Sequence, residues 1–245
     1  MSTFVLIHGG CHGGWCWYKV VALLEQQGHT VVAPDLPGHG QDKTPLSAVT
    51  FAAYVDSVCH VVDAQPEPVV LVGHSMGGGI ITQVAEDRPD KVKVLVYLTA
   101  ELPPNGESMM QALQADTTSL ALPNFVVSDD KTSGTFRAKT LREVFYGDCS
   151  DEDVALARAL LVPLPLAPLE TPVQTSAANF GRVPRVYIEC LQDWALTPWM
   201  QKQLYTAQPC QQVISMDTSH SPFFSAPGEL AAHLAALEPR EVRDR

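Results

Sequence analysis

Basic side chains are scarce in this chain: 16 Lys and Arg stand against 27 Asp and Glu, a formal net charge of -11 over 245 residues. Nowhere do the cations gather into a patch able to neutralise phosphates, so nucleic acid is a poor partner. Long apolar runs are missing too. No stretch reaches the ~18 to 20 uninterrupted apolar residues that a membrane-crossing helix needs. Met1-Ser2-Thr3 enters the run Phe4-Val5-Leu6-Ile7 at once, without the basic start and cleavage site of a secretory signal. The expectation is a cytoplasmic chain with no membrane partner. The six cysteines (Cys11, Cys16, Cys59, Cys149, Cys190 and Cys210) form no C-x-x-C pair and no zinc-spaced cluster with histidine, which predicts reduced thiols. His8 and His12 have no third ligand at a plausible spacing, so no metal site is expected. A G-K-[ST] phosphate loop and a G-x-G-x-x-G fingerprint are likewise lacking, and no cofactor is implied.

What is present describes a soluble globular protein: 46% hydrophobic and 18% charged residues, enough for one large domain, or one domain with an insertion. Short apolar runs at Phe4–Ile7, around "HTVVAPDL", at Pro68–Val72 and at Val92–Leu98 alternate with helical patterns at 16–27, 51–64 and 76–87. That order predicts an α/β chain with a mainly parallel, doubly wound sheet of buried strands covered on both faces. Past Ala100 the alternation stops for about 80 residues that are proline-rich and polar, with helical patches near 108–116 and 151–161. It returns at 183–190, followed by a helix at 198–207, a strand at 212–216 and a helix at 228–237. The division expected is therefore a core of residues 1–100 and 181–245, with a mostly helical cap inserted at 101–180. The charged "EPREVRDR" reads as a frayed tail.

The most specific stretch is "LVGHSMGGG". Gly73-His74-Ser75-Met76-Gly77 fits G-x-S-x-G between a predicted strand and a predicted helix, the setting in which a sharp turn thrusts a serine hydroxyl outward. Side chains two residues to either side would collide, which explains Gly73 and Gly77. A serine hydroxyl is a weak nucleophile and needs a base, itself oriented by a third group. His220, in the late loop "MDTSHSPFF", is the expected base. Asp193, ending "RVYIECLQD", is the expected acid, with Asp217 as competitor on the base's own loop. The developing oxyanion needs two backbone N–H groups: one from Met76, the other from the glycine-rich loop "HGGCHGGW", where Gly9 and Gly10 permit close approach. Gly9 and His74 are also carried as weak substrate-binding positions. Cap residues Met109, Met110, Leu113, Phe125, Phe136 and the run 160–169 suggest a compact apolar pocket.

Five segments, "FVLIHGGCHGGWCWYKV", "LVGHSMGG", "FYGDCSDEDVALARALL", "YIECLQDWALTP" and "DTSHSPFFSAP", span nearly the whole chain. In them the chain resembles the α/β-hydrolase superfamily, within it the group of plant methyl esterases of the salicylate-binding type and hydroxynitrile lyases. The resemblance implies Ser75, Asp193 and His220 as a triad, the N–H groups of Gly10 and Met76 as oxyanion hole, and no cofactor. The lyases carry a threonine and a lysine where this chain has Gly9 and Ser221, so the resemblance favours hydrolysis of small to medium apolar or aromatic esters over cyanohydrin cleavage. A thioesterase and a non-catalytic small-ligand receptor on the same fold are the further alternatives. The apolar cap surface leaves a homodimer open.

Overall fold

The computed structural model describes residues 1–237; the tail "EPREVRDR" and the end of the expected core lie outside the described residues. In chain order the elements are β1 (Thr3–Ile7), α1 (Tyr18–Gln26), β2 (Thr30–Val32), α2 (Phe51–Asp63), β3 (Val69–His74), α3 (Gly77–Asp87) and β4 (Val92–Leu98). There follow α4 (Met109–Ala115), β5 (Phe125–Val127), β6 (Ser133–Phe136), α5 (Leu141–Phe145), α6 (Asp151–Leu160), β7 (Leu164–Pro165) and α7 (Ala167–Glu170). The chain closes with β8 (Arg185–Cys190), α8 (Pro198–Ala207), β9 (Gln212–Met216), α9 (Pro222–Ser225) and α10 (Pro227–Ala235).

Six strands form one sheet in the order β2-β1-β3-β4-β8-β9, and every neighbouring pair is parallel. The alternation of side chains along each strand divides the core in two. Val5, Ile7, Val69, Leu71, Leu95, Tyr97 and Tyr187 pack with α2, α3 and α8 on one face. Phe4, Leu6, Val70, Val72, Val94, Val96, Val186 and Ile188 pack with α1, α6 and α10 on the other. Apolar residues on both faces are what the unbroken runs in the sequence required. The expectation of a buried second strand is corrected: β2 is an edge strand with Thr30 exposed and Val31 and Val32 only partly buried, because it pairs with β1 alone.

The insertion lies between β4 and β8. Its helices start where capping side chains allow: Ser108 and Gln111 form a reciprocal capping box on α4, and Ser150 caps α6 ahead of Asp151, Glu152 and Asp153. The cap also holds a three-stranded antiparallel sheet, β5-β6-β7, that the helical expectation did not include. Strands this short carry too few residues for a period of two to show, and Pro165 sits on the edge strand β7, where a missing N–H is tolerated.

Candidate active site

Because the chain runs from β1 outward to β2 and then back across β1 to β3, the loops that follow β1 and β3 diverge at neighbouring strand ends. Open parallel sheets form their ligand crevices at such a reversal. The first loop holds Gly9 and Gly10; the second is the turn into α3. There Ser75 has φ 52°, left-handed backbone that costs a non-glycine residue strain. The turn is tight enough that a Cβ on Gly73 would lie 2.6 Å from the Gly77 carbonyl oxygen, and one on Gly77 would lie 2.9 Å from that of Ile7. The two small residues are thus a packing requirement of the elbow.

Ser75 faces a cavity of about 50 Å³ that Gly10, Met76, His74, His12 and His220 also line. The Gly10 and Met76 N–H groups donate to no acceptor among the described residues. Met76 immediately precedes α3, whose N-terminus adds positive potential there. His220 and Asp193 are both buried. His220 Nδ1 lies 2.6 Å from Asp193 Oδ2, which makes Nδ1 the donor and leaves Nε2 as the acceptor nitrogen of the neutral ring. The second Asp193 oxygen accepts from the N–H groups of Ala195 (2.6 Å) and Leu196 (3.0 Å), and Thr99 donates its hydroxyl to Oδ2. Every face of this buried carboxylate has a donor. The competing Asp217 is exposed and accepts from Gln192.

The remaining expected positions separate. His74 lines the cavity, but its Nε2 donates to the His220 carbonyl at 2.8 Å, so it holds the His220 loop. Gly9 is absent from the cavity wall and packs beneath the elbow, where a Cβ would meet His74 Nδ1 at 2.8 Å and Ser75 Cβ at 2.9 Å. Of the cap residues, Leu113, Phe136, Leu164 and Leu169 reach the cavity, joined by Ala121 and Phe145. Met109, Met110 and Phe125 are placed elsewhere; Met109 packs against Gly79.

Several residues that build the site escaped the sequence reading. His12 Nδ1 donates to the Gly10 carbonyl at 2.9 Å and Nε2 accepts from the Tyr146 hydroxyl at 2.8 Å, which ties the first loop to the cap. Burial lowers its pKa to about 4, so it is a neutral strut. Among the described residues no group of three or more His, Cys, Asp or Glu could hold a metal. Asp116 accepts from the Thr197 N–H and hydroxyl at 2.8 and 2.9 Å, and Asp148 accepts from the Ser219 N–H at 3.1 Å. Cap carboxylates thereby clamp both the loop of Asp193 and the loop of His220. Only contact partners distant in sequence mark these residues, and no local pattern could have found them.

A strained elbow at the switch point of a parallel sheet, with an inserted cap over it, defines a class of fold. The chain belongs to the alpha/beta hydrolase family, whose model matches residues 4–233. It is 34% identical over 249 residues to methylesterase 2 of Arabidopsis thaliana, covering 96% of this chain and 95% of that one. Among solved structures it superposes on polyneuridine aldehyde esterase with a TM-score of 0.88 at 30% identity, covering 96% and 98% of the two chains. A pyrethroid hydrolase from Sphingobium faniae JZ-2 superposes at 0.84 with 32% identity and 96% of each chain covered. The chain spans 63%, 54% and 58% of three longer Arabidopsis relatives described as chloroplastic. No helix of the described residues is long and apolar enough to cross a membrane.

Proposed function

We propose that the protein is a serine carboxylesterase acting on small to medium apolar or aromatic esters through an acyl-enzyme. The observation that carries this reading is the buried pair His220 Nδ1 and Asp193 Oδ2, 2.6 Å apart, placed so that the imidazole faces the cavity lined by the elbow serine. His220 takes the Ser75 proton through Nε2 as Oγ attacks the ester carbonyl. The negative charge that develops on the carbonyl oxygen falls to the free N–H groups of Gly10 and Met76. Asp193 fixes the tautomer and stabilises the imidazolium, and its other donors hold it in place while it does so. His220 then protonates the departing alcohol. A water molecule, deprotonated by the same imidazole, attacks the acyl-enzyme and releases the acid.

The relatives named as esterases or as a pyrethroid hydrolase support hydrolysis of esters by this chain. The small, apolar cavity supports compact acyl or alcohol groups. Nothing in the reaction calls for a cofactor or a metal, and Gly9 and Ser221 stand where the lyases place the polar groups that handle a cyanohydrin. The test is hydrolysis of p-nitrophenyl esters from acetate to decanoate by the wild type and by Ser75→Ala. Turnover by the wild type alone, strongest at the short end, is expected. Equal turnover by a folded Ser75→Ala would remove the nucleophile and with it the mechanism. Wild type that releases no acid but liberates cyanide from mandelonitrile would place the protein with the lyases.

A further inference from the structure

Two carboxyl groups are buried beside His220, and they differ in how they are satisfied. Asp193 has a donor on each side. Glu101 is only 2% exposed, lines the same cavity, and leaves Oε2 without any hydrogen-bond partner. Its backbone N–H donates to the Ser75 carbonyl at 3.2 Å, so the side chain starts next to the nucleophile. Native proteins rarely leave a buried carboxyl oxygen unmatched, and each exception calls for a physical reason; in the wall of a cavity, a bound molecule that supplies the missing partner is one. The apolar side chains of the same wall, among them Leu113, Leu169, Leu196 and Ala195, offer the carboxyl nothing.

We propose that Glu101 is a specificity-determining residue: its carboxyl takes a hydroxyl or keto oxygen carried within a few bonds of the scissile ester carbonyl, on an otherwise apolar substrate. The inference deepens the esterase reading and rests on it. A neutral partner suits the site, because burial lifts the Glu101 pKa from 4.5 to about 7, against the opposing effects of its own backbone N–H and of His220. The groups around it are Asp193 on the loop after β8, Tyr187 on β8, His220 on the loop after β9, and His12 and His74 across the cavity. Asp193 pushes the Glu101 pKa further up, and Tyr187 is occupied, donating to the Ala100 carbonyl at 2.9 Å. Below neutrality Glu101 both donates and accepts. Above it, it can only accept, so a keto oxygen loses its donor and a hydroxyl does not.

The experiment compares kcat/KM for matched esters: ethyl butanoate against ethyl 3-hydroxybutanoate and ethyl 3-oxobutanoate for the acyl side, and propyl butanoate against 2-hydroxyethyl butanoate for the alcohol side. Ratios within a pair cancel any pH effect common to both esters, and comparison with Glu101→Leu cancels intrinsic reactivity. In one of the two arms the ratio is expected to fall roughly 10- to 100-fold in Glu101→Leu, since a site built around a hydrogen bond discriminates strongly against the analogue lacking it. The keto ratio should decline as pH rises from 6 to 8 in the wild type and stay level in Glu101→Gln, which remains neutral. The Gln variant carries the test if the Leu variant does not fold. Ratios that Glu101→Leu leaves intact in both arms overturn the proposal, and so does, where the acyl arm responds, a keto ratio with the same pH dependence in Glu101→Gln. So does a preference for amine-bearing esters that grows with pH. If the wild type hydrolyses no ester at all, the esterase reading fails separately. Calorimetric binding of ethyl 3-hydroxybutanoate and ethyl butanoate then decides for Glu101: preference for the hydroxy ester, lost in Glu101→Leu, sustains the inference, and equal binding ends it.

Discussion

The site has two halves, assembled by different means. Around the sheet ends, backbone does the positioning: a serine held at φ 52°, free N–H groups at Gly10 and Met76, and glycines where a single added carbon would strike a main-chain oxygen. In the cap, side chains do it. Leu164 lies across Gly10, Tyr146 braces His12, and Asp116 and Asp148 reach down to the loops bearing Asp193 and His220. Backbone placement leaves little freedom, since main-chain atoms shift only when whole elements shift. Side-chain placement can change one residue at a time. On the proposed mechanism the sheet ends set the chemistry, and the cap sets which molecule receives it.

The strongest test of that division is Ser75→Ala. On the proposed mechanism it lowers kcat for any ester by at least about 10⁴-fold with the melting temperature preserved, a result that esterase assay and calorimetry would establish together. Removing the strained left-handed hydroxyl residue without loss of rate would break the assignment of chemistry to the sheet ends. The next effect in size is on stability. His8, His12, His39 and His74 all cluster near the first loop and the elbow, and burial holds His12 and His39 down to about 4 and the other two well below their ordinary value. Such a histidine binds fewer protons folded than unfolded, so its contribution is nil above the unfolded value of 6.5 and turns destabilising as pH falls from there toward 4. Glu101, raised to about 7, works in the opposite sense between pH 7 and 4.5, but as one group against four. Denaturant melts from pH 7 to 4.5 should lose roughly 1.4 kcal/mol per pH unit for each proton taken up, with a net uptake of more than one proton. A flat profile would show that the imidazoles are not buried neutral.

The sequence made the sheet-end half of the site largely legible and left the cap half dark. Gly73, Ser75 and Gly77 sit within five residues, and their spacing reflects a local steric problem that has the same solution wherever it occurs. Asp193 follows β8, an interior strand marked by its apolar run, whereas His220 follows β9, a mostly exposed edge strand, and was legible from its place late in the chain after a short strand pattern. Thr99 shows the limit even there: it has φ 36°, an unusual backbone for a β-branched residue, and nothing in "YLTAEL" announces that its hydroxyl would meet Asp193. Thr99, Asp116, Asp148 and His12 act through partners between 71 and 134 residues away, and such pairings are decided by packing. The short cap strands were invisible for a simpler reason, having too few residues to show alternation.

Smaller effects sharpen the comparison. Thr99→Val keeps the branched shape and removes one donor from Asp193, with the other three retained. A hydrogen bond to a charged group contributes on the order of 1.5 to 3 kcal/mol, so kcat should drop about 10-fold with KM unchanged for every ester in a chain-length series. Uniformity is the point, because a sheet-end residue should not know which substrate is bound. Leu164→Ala reverses the pattern. Its side chain covers Gly10, with Cδ2 3.0 Å from where a Cβ would project, and lines the cavity. Truncation enlarges a space of only about 50 Å³, at a stability cost of roughly 2 to 5 kcal/mol. Hexanoate and octanoate esters should gain a few-fold in kcat/KM relative to acetate, chiefly through KM, since the nucleophile and its proton path are untouched. If instead Leu164→Ala slowed all chain lengths alike through kcat, the cap would be holding the Gly10 N–H in place as well as shaping the pocket. The boundary between the half that performs the chemistry and the half that selects the substrate would then run through β7 instead of along the sheet ends.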